Sequence, residues 1–317
     1  MKQDKPIVAI HCLVYNHEPY LRDCFEGFVM QQTNFPFVAI VHDDASTDGS
    51  AAIIREYEAK YPHIFKPIFE KKNLYSIGKY WHMEDTMRKN IKNTGAKYVA
   101  MCEGDDYWTD PLKLQKQVDF MESHSEYSLC FTNAKIRFNN FEGVTINHIW
   151  DTYTIEDVII NNALNVSKRG DRIITCGHTS TVLYRASCLP LPSWTTKCFV
   201  GDEPLFIALA QYGKVKFLNE ITSVYRDGVG VSSKDYDEEE YWKNRIKMYK
   251  IMNQGMEYRY NAIIKPIIAA SYFTLSKLVW KVGKIEKKRD AIVYLCKTLL
   301  INPNVIIKWV VTKIKQE

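Results

Sequence analysis

The chain has eight cysteines but no pair at CxxC spacing: Cys12, Cys24, Cys102, Cys130, Cys176, Cys188, Cys198 and Cys296 are scattered singly. That argues against a zinc site or a disulfide scaffold, and reduced thiols in a cytosol are expected. There is also no glycine- and basic-rich loop after the first apolar run. CLVYNHEPY stands there instead, which disfavours a triphosphate-binding nucleotidyltransferase and a dinucleotide dehydrogenase. The opening MKQDKPIVAIHCLVY meets His11 and Asn16 too soon for a secretory signal. No stretch is expected to reach the uncharged apolar length of a transmembrane helix, and no internal repeat or low-complexity tract is found.

What is present describes a folded protein. Hydrophobic residues make up 46% and charged residues 25%, which excludes global disorder. The net charge of +5 hides an asymmetry: beyond Tyr241, 16 Lys and Arg face 4 acids, whereas the preceding part is net acidic. Because the basic residues alternate with apolar runs, the anionic partner this suggests is membrane phospholipid and not nucleic acid.

Strand and helix patterns alternate through the first hundred residues. PIVAIHCLV (6–14), FVAIVHD (37–43), residues 65–70 and KYVAMCE (97–103) read as strands, with helices between them near 19–32, 48–61 and 79–93. Strands apolar on both faces call for a mainly parallel sheet flanked by helices, an α/β fold with ligands at the carboxyl ends of the strands. Thr109 or Asp110 is expected to cap a helix opened by Pro111. The region 127–184 reads as further strands of a mixed sheet, residues 201–213 as a helix, and KVKFLNEITSVYR as two short strands. From Tyr236 the pattern is helical, broken at Gly255, Gly283 and Pro303. The expected domains are 1–233, with halves 1–110 and 111–233, and a basic amphipathic helical region 234–317.

Two acidic loops follow buried strands. In CEGDDYW, Glu103, Asp105 and Asp106 suit a hard divalent cation, Mn²⁺ or Mg²⁺, which takes one or two carboxylates and completes its shell with phosphates and water. Helix capping is the alternative use of an Asp pair. Asp43 and Asp44 in HDDASTDGS are placed to accept hydrogen bonds from a base or a ribose, while Thr47, Asp48 and Gly49 supply turn chemistry.

VAIHCLVYNHEPYLRDCFEGFVMQQ, then VHDDASTDGS, then EGDDYWTDPLKLQKQ resemble, in order and spacing, family 2 of the glycosyltransferases, over about residues 6–232. The resemblance implies a GT-A fold. It further implies that Val14 and Tyr15 border the nucleotide, Asp44 reads the uracil or ribose, Asp105 faces the ribose, and Asp106 binds the metal beside the diphosphate. FVGDEPLFIALAQYG is similar to the family's later acidic motif, which makes Asp202 the general base of an inverting transfer and Glu203 its understudy or an acceptor contact; a helix cap is the plainer reading of Asp202. Arg226 in VYRDG matches a phosphate-clamping position, although Asp227 and Gly228 stand where many members have a His, with Ser232 and Ser233 as substitutes. His178 is either structural or an acceptor contact, and Trp108 either stacks on a sugar or packs beneath a helix. The implied function is transfer from a nucleotide-sugar, with a lean to UDP, to a saccharide or lipid-linked saccharide in surface polysaccharide assembly. A non-catalytic saccharide-binding relative is the alternative. The C-terminal helices either lie on the inner face of the cell membrane or pack on the catalytic domain.

Overall fold

A computed structural model describes residues 5–78, 80–138, 141–145, 150–164, 177–229, 237–281 and 285–308. The chain divides into two compact units. The first comprises residues 1–158, 164–191 and 206–233, and the second residues 159–163, 192–205 and 234–317.

The first unit is built on one mixed sheet. Strands β1 (Val8–Val14), β2 (Phe37–Asp43), β3 (Phe65–Phe69) and β4 (Tyr98–Met101) pair in parallel in the order β3-β2-β1-β4. β1 and β4 are buried on both faces, as a parallel strand between two helical layers must be. Beyond β4 come β9 (Val182–Arg185), antiparallel, then β6 (Tyr127–Phe138) and β10 (Lys214–Asp227), which run parallel to each other. The short β5 (Tyr107–Trp108) closes that path, while β7 (Phe141–Thr145) pairs with β6 and β8 (Thr152–Tyr153) with β10. KVKFLNEITSVYR forms one long strand and not the two expected. The polar Asn219–Glu220 pair, which reads as a turn in sequence, coincides with register shifts against β6.

Helices α1 (Glu18–Val29), α2 (Ser50–Lys60) and α3 (Tyr80–Thr94) fall where the apolar periodicity puts them, and α4 (Lys113–Ser123) and α5 (Ile155–Leu164) follow. Phe25 and Phe28 of α1 pack with Phe65 and Trp108 at ring-centroid distances of 4.8 and 4.9 Å, respectively, and anchor the core between α1 and the sheet. A Cβ at Gly27 would lie 2.9 Å from the Trp108 backbone nitrogen, so only glycine permits this approach of helix to strand. α4 starts later than expected. Its N-cap position is Leu112, without a side-chain cap, and Asp110 instead accepts from the Leu112 amide (2.9 Å) and from Lys116 Nζ (2.9 Å). None of the seven described cysteines forms a disulfide, and Cys176 lies outside the described residues.

Lys113 is fully buried beneath Trp108, its Nζ 4.6 Å from the ring centroid and donating to Gln117 Oε1 at 2.5 Å. Burial pushes its ammonium down to about 8 from an ordinary 10.5. A lysine with a lowered folded pKa binds fewer protons folded than unfolded between those two values, so stability rises with pH from about 8 to 10.5. The rise is on the order of 3 kcal/mol. Lys113→Met should abolish that slope in denaturant unfolding; an unchanged slope would assign it elsewhere.

The second unit contains α7 (Glu238–Gly255), α8 (Asn261–Lys281) and α9 (Ile285–Ile301). Asp237 caps α7 by accepting from the Glu239 and Glu240 amides. α7 ends at Gly255, where any Cβ would collide with the Trp194 ring. α8 is long and apolar enough to qualify as a membrane span by length and composition, although Lys265 and Lys277 keep it from being an uncharged run. Half of that apolar window is buried within the protein.

Candidate active site

The strand order puts β2 on one side of β1 and β4 on the other, so the chain leaves β1 at a topological switch point where α/β sheets open a crevice. The backbone closes around that end. The Leu13 carbonyl accepts from Gly104 (3.0 Å) and the Val14 carbonyl from Asp44 (2.9 Å), bringing both acidic loops beside Tyr15, which is 40% exposed.

The loops after β1 and β2 are laced together. Asn16 Oδ1 accepts from the Thr47 amide (2.7 Å), and the Asn16 amide donates to Ser46 Oγ (2.9 Å). Asp48 accepts from Glu18 N at the start of α1 and from Ser50 N at the start of α2, while Glu18 Oε2 accepts from Gly49 N. Asn16 and Ala45 have φ values of 55° and 58°. For alanine this left-handed conformation costs about 1–2 kcal/mol, strain of the kind that gathers at functional sites. Asp43 and Asp44 are buried. Asp44 accepts from the Leu74 amide at 2.6 Å and the Tyr75 amide at 3.0 Å, so it fixes the segment that presents Tyr75, and each oxygen keeps a second lone pair. Burial holds the Asp43 carboxyl above its ordinary range.

Asp105 and Asp106 are also buried. Burial, and then the neighbouring Asp105 charge, hold the Asp106 carboxyl well above the usual carboxylate range. Its Oδ1 accepts from the Arg226 amide at 2.9 Å. The Arg226 guanidinium donates to the Asp105 carbonyl (2.6 Å), pairs with Asp23 of α1, and lies over the rings of Tyr107 and Tyr20, 4.4 and 5.1 Å from their centroids. His17 stands 3.8 Å from Asp105, and burial lowers its pKa; Asp48, Arg226 and Asp43 also act on it electrostatically. Among the described residues no three or more His, Cys, Asp and Glu are grouped to hold an ion by themselves. The donor set still fits Mn²⁺ or Mg²⁺, because two crowded, buried carboxylates have a mutual repulsion that a hard cation relieves, and a diphosphate would complete the shell.

In the second unit, Asp202 and Glu203 open helix α6 (Asp202–Ala210). Asp202 is exposed, and its Oδ1 accepts from the Glu203 amide (2.8 Å). Glu203 is committed elsewhere: it accepts from Tyr249 Oη and from Arg245 Nη1 (3.2 Å), and burial raises its pKa. Arg245 in turn donates to the Asn162 and Ala163 carbonyls.

The profile of Glycosyl transferase family 2 matches residues 10–188, more than half of the chain. The protein belongs to glycosyl transferase family 2. An uncharacterized protein of Mycobacterium tuberculosis is 41% identical over 133 residues, which is 42% of this chain and 36% of that protein. Two Bacillus subtilis proteins that carry glycosyltransferase names also match. EpsE is 30% identical, covering 43% of this chain and 45% of its own, and the teichuronic acid biosynthesis protein TuaG is 26% identical, covering 50% and 60%. These matches thus span about a third to three fifths of the relatives' lengths. Staphylococcus aureus TarS, residues 1–349 crystallised with UDP, superposes over 94% of this chain and 82% of its own with a TM-score of 0.61 at 18% identity. A Pyrobaculum calidifontis mannosyltransferase with GDP-Man and Mn²⁺ covers 94% and 87%, with a TM-score of 0.50 at 13% identity. The fold is that of the GT-A glycosyltransferases, with a helical C-terminal region.

Within this family 2 chain the remaining residues singled out from sequence fall as follows. Trp108 is 2% exposed, and its Nε1 donates to the Ser180 carbonyl (2.8 Å); of its two readings the structure shows packing, not a surface for a sugar ring. His178 stacks on Tyr225 with centroids 3.8 Å apart. Arg226 is 7% exposed, and its guanidinium braces the acidic loop from behind. Gly228 has φ 84°, a conformation that favours glycine, while Ser232 and Ser233 lie outside the described residues. Sequence reasoning missed His17 and Asp23 as neighbours of this loop. His17 is a single polar residue of the loop just before α1 and Asp23 a single polar residue within it, and only the fold reveals what they face.

Proposed function

We propose that this chain is an inverting hexosyltransferase that moves a sugar from a UDP-linked donor to a saccharide or lipid-linked saccharide acceptor in cell-surface polysaccharide synthesis. The observation that carries this reading is the buried Asp105–Asp106 pair beside the end of β1, one acid pinned by the Arg226 amide and the other beside His17. The UDP preference is supported by the likeness to TarS, which has been crystallised with UDP and with UDP-GlcNAc.

In this mechanism Val14 and Tyr15 border the nucleotide, and Asp43 and Asp44 read its base or ribose, Asp44 also holding the segment at Tyr75. Asp105 faces the ribose. Asp106 would hold Mn²⁺ or Mg²⁺, and the ion, when bound, would supply Lewis-acid neutralisation of the departing charge. Arg226 keeps the loop in place and adds positive charge near the phosphates. Asp202 takes the acceptor hydroxyl proton, a role that suits an exposed carboxylate better than one tied to an arginine as Glu203 is. His178 is an acceptor contact. The proposed location is cytoplasmic, at the inner face of the cell membrane.

Thermal-shift measurements on the full chain with UDP-, GDP- and dTDP-sugars, each with Mn²⁺, Mg²⁺ or chelator, test the donor reading. A UDP-sugar with Mn²⁺ at about 100 times its Kd should add about 2.7 kcal/mol of stability, a rise of several degrees that chelator abolishes. The absence of any shift across the panel would refute donor binding.

A further inference from the structure

We propose that the outer face of α9 docks on an anionic phospholipid surface. The inner face of α9 is settled: Ala291 and Thr298 are buried, Thr298 Oγ1 donates to the Ala269 carbonyl of α8 (3.4 Å), and Tyr294 stacks on Tyr272 of α8. At about 100° per residue, the opposite side of the helix carries Ile292, Val293, Cys296, Leu299 and Leu300 within an arc of roughly 120°. All five are exposed: Ile292 51%, Val293 48%, Leu299 47% and Leu300 85%, with Cys296 between them. A helix stabilised only by its own protein has no need of a second apolar face.

The rim of that face identifies its occupant. Lys288 and Lys297 are exposed on its two edges and Arg289 at its N-terminal end, against the single exposed acid Asp290 among the described side chains of α9. At the end of α8, Trp280 is 52% exposed with Lys288 Nζ 5.5 Å from its ring centroid, and Lys281 is exposed beside it. An apolar stripe edged by long cationic side chains and an amphipathic indole matches the boundary between acyl chains and anionic headgroups. A second copy of this chain matches less well, because a two-fold interface on this face would set its cationic rims against each other. This inference does not depend on the transfer chemistry proposed above.

The test is co-sedimentation of the full chain with vesicles of phosphatidylcholine, with and without phosphatidylglycerol. Binding should require phosphatidylglycerol and weaken as salt is raised. Leu300→Asp combined with Val293→Asp should reduce partitioning by ~tenfold or more. Replacing Lys288, Arg289 and Lys297 by Glu should remove the preference for the anionic lipid. Tyr212→Asp, at an apolar residue equally exposed on the first unit, should change nothing, and thermal unfolding of each variant confirms that it is folded. Two results would overturn the proposal: folded wild-type protein that ignores both vesicles, or vesicle binding unchanged by the α9 substitutions. A dimer in light scattering that Leu300→Asp dissolves, without vesicle binding, would assign the face to a second copy instead.

Discussion

Asp106→Asn should weaken Mn²⁺-supported donor binding by more than about 100-fold while raising the melting temperature of the metal-free protein. Second-sphere substitutions around metal ligands already cost about 10–100-fold, so loss of the carboxylate itself should exceed that range. The stability effect has the opposite sign because Asp106 is buried, and both burial and Asp105 disfavour its charge. Asparagine keeps an oxygen to accept the Arg226 amide, so the substitution removes the repulsion and retains the hydrogen bond. A gain of about 1 kcal/mol corresponds to roughly 1–2 °C in a chain of this size. The pH dependence follows from the raised folded pKa. Between the ordinary value of 3.8 and the folded value, the native state retains a proton that the unfolded chain has released, so wild-type stability falls as pH rises through that window. The variant should lack this contribution. Calorimetry with and without Mn²⁺ measures both effects, and undiminished Mn²⁺-dependent binding by the variant would exclude Asp106 as the ligand.

The second large effect separates two adjacent acids. Asp202→Asn should leave donor binding and melting temperature near those of wild type and lower kcat by about 10²–10⁴-fold, the usual contribution of a general base. Its carboxylate is exposed, and the hydrogen bond it accepts from the Glu203 amide can be kept by the asparagine oxygen. Glu203→Ala should behave differently. It strips the buried Arg245 of its carboxylate partner and leaves Tyr249 without its acceptor, a change that typically costs about 3–5 kcal/mol and registers first as a lower melting temperature. Full transfer activity in Asp202→Asn would pass the base role to another group; a stable Glu203→Ala would mean that the Arg245 pair contributes little.

The parallel half of the sheet was legible because β1, β2 and β4 are apolar on both faces, and β2 and β4 run directly into acids. The acidic loops were legible for the same reason, since a carboxylate directly after a buried strand has only the crevice to face. The division of labour within the acids was not. Asp202 and Glu203 are chemically alike and adjacent, and they differ only in what α7 supplies: Arg245 and Tyr249, forty residues or so along the chain. Trp108 had two open readings because an indole serves a ligand or a core equally well, and the choice was made by Phe28, Gly27 and Lys113 around it. The start of α4 shifted because Asp110 bonds to Leu112 and Lys116 within the loop instead of capping the first turn.

The brace formed by Arg226 reaches across the sequence: a residue of the last long strand pins a loop 120 positions earlier and ties it to Asp23 of the first helix. The segment that carries the family signature ends at residue 188, so the pin lies outside it. A truncated chain that keeps every signature motif but stops short of β10 would retain the acids and lose what aims them. Domain swaps between family members should therefore exchange the acidic loop and its distant arginine as one unit.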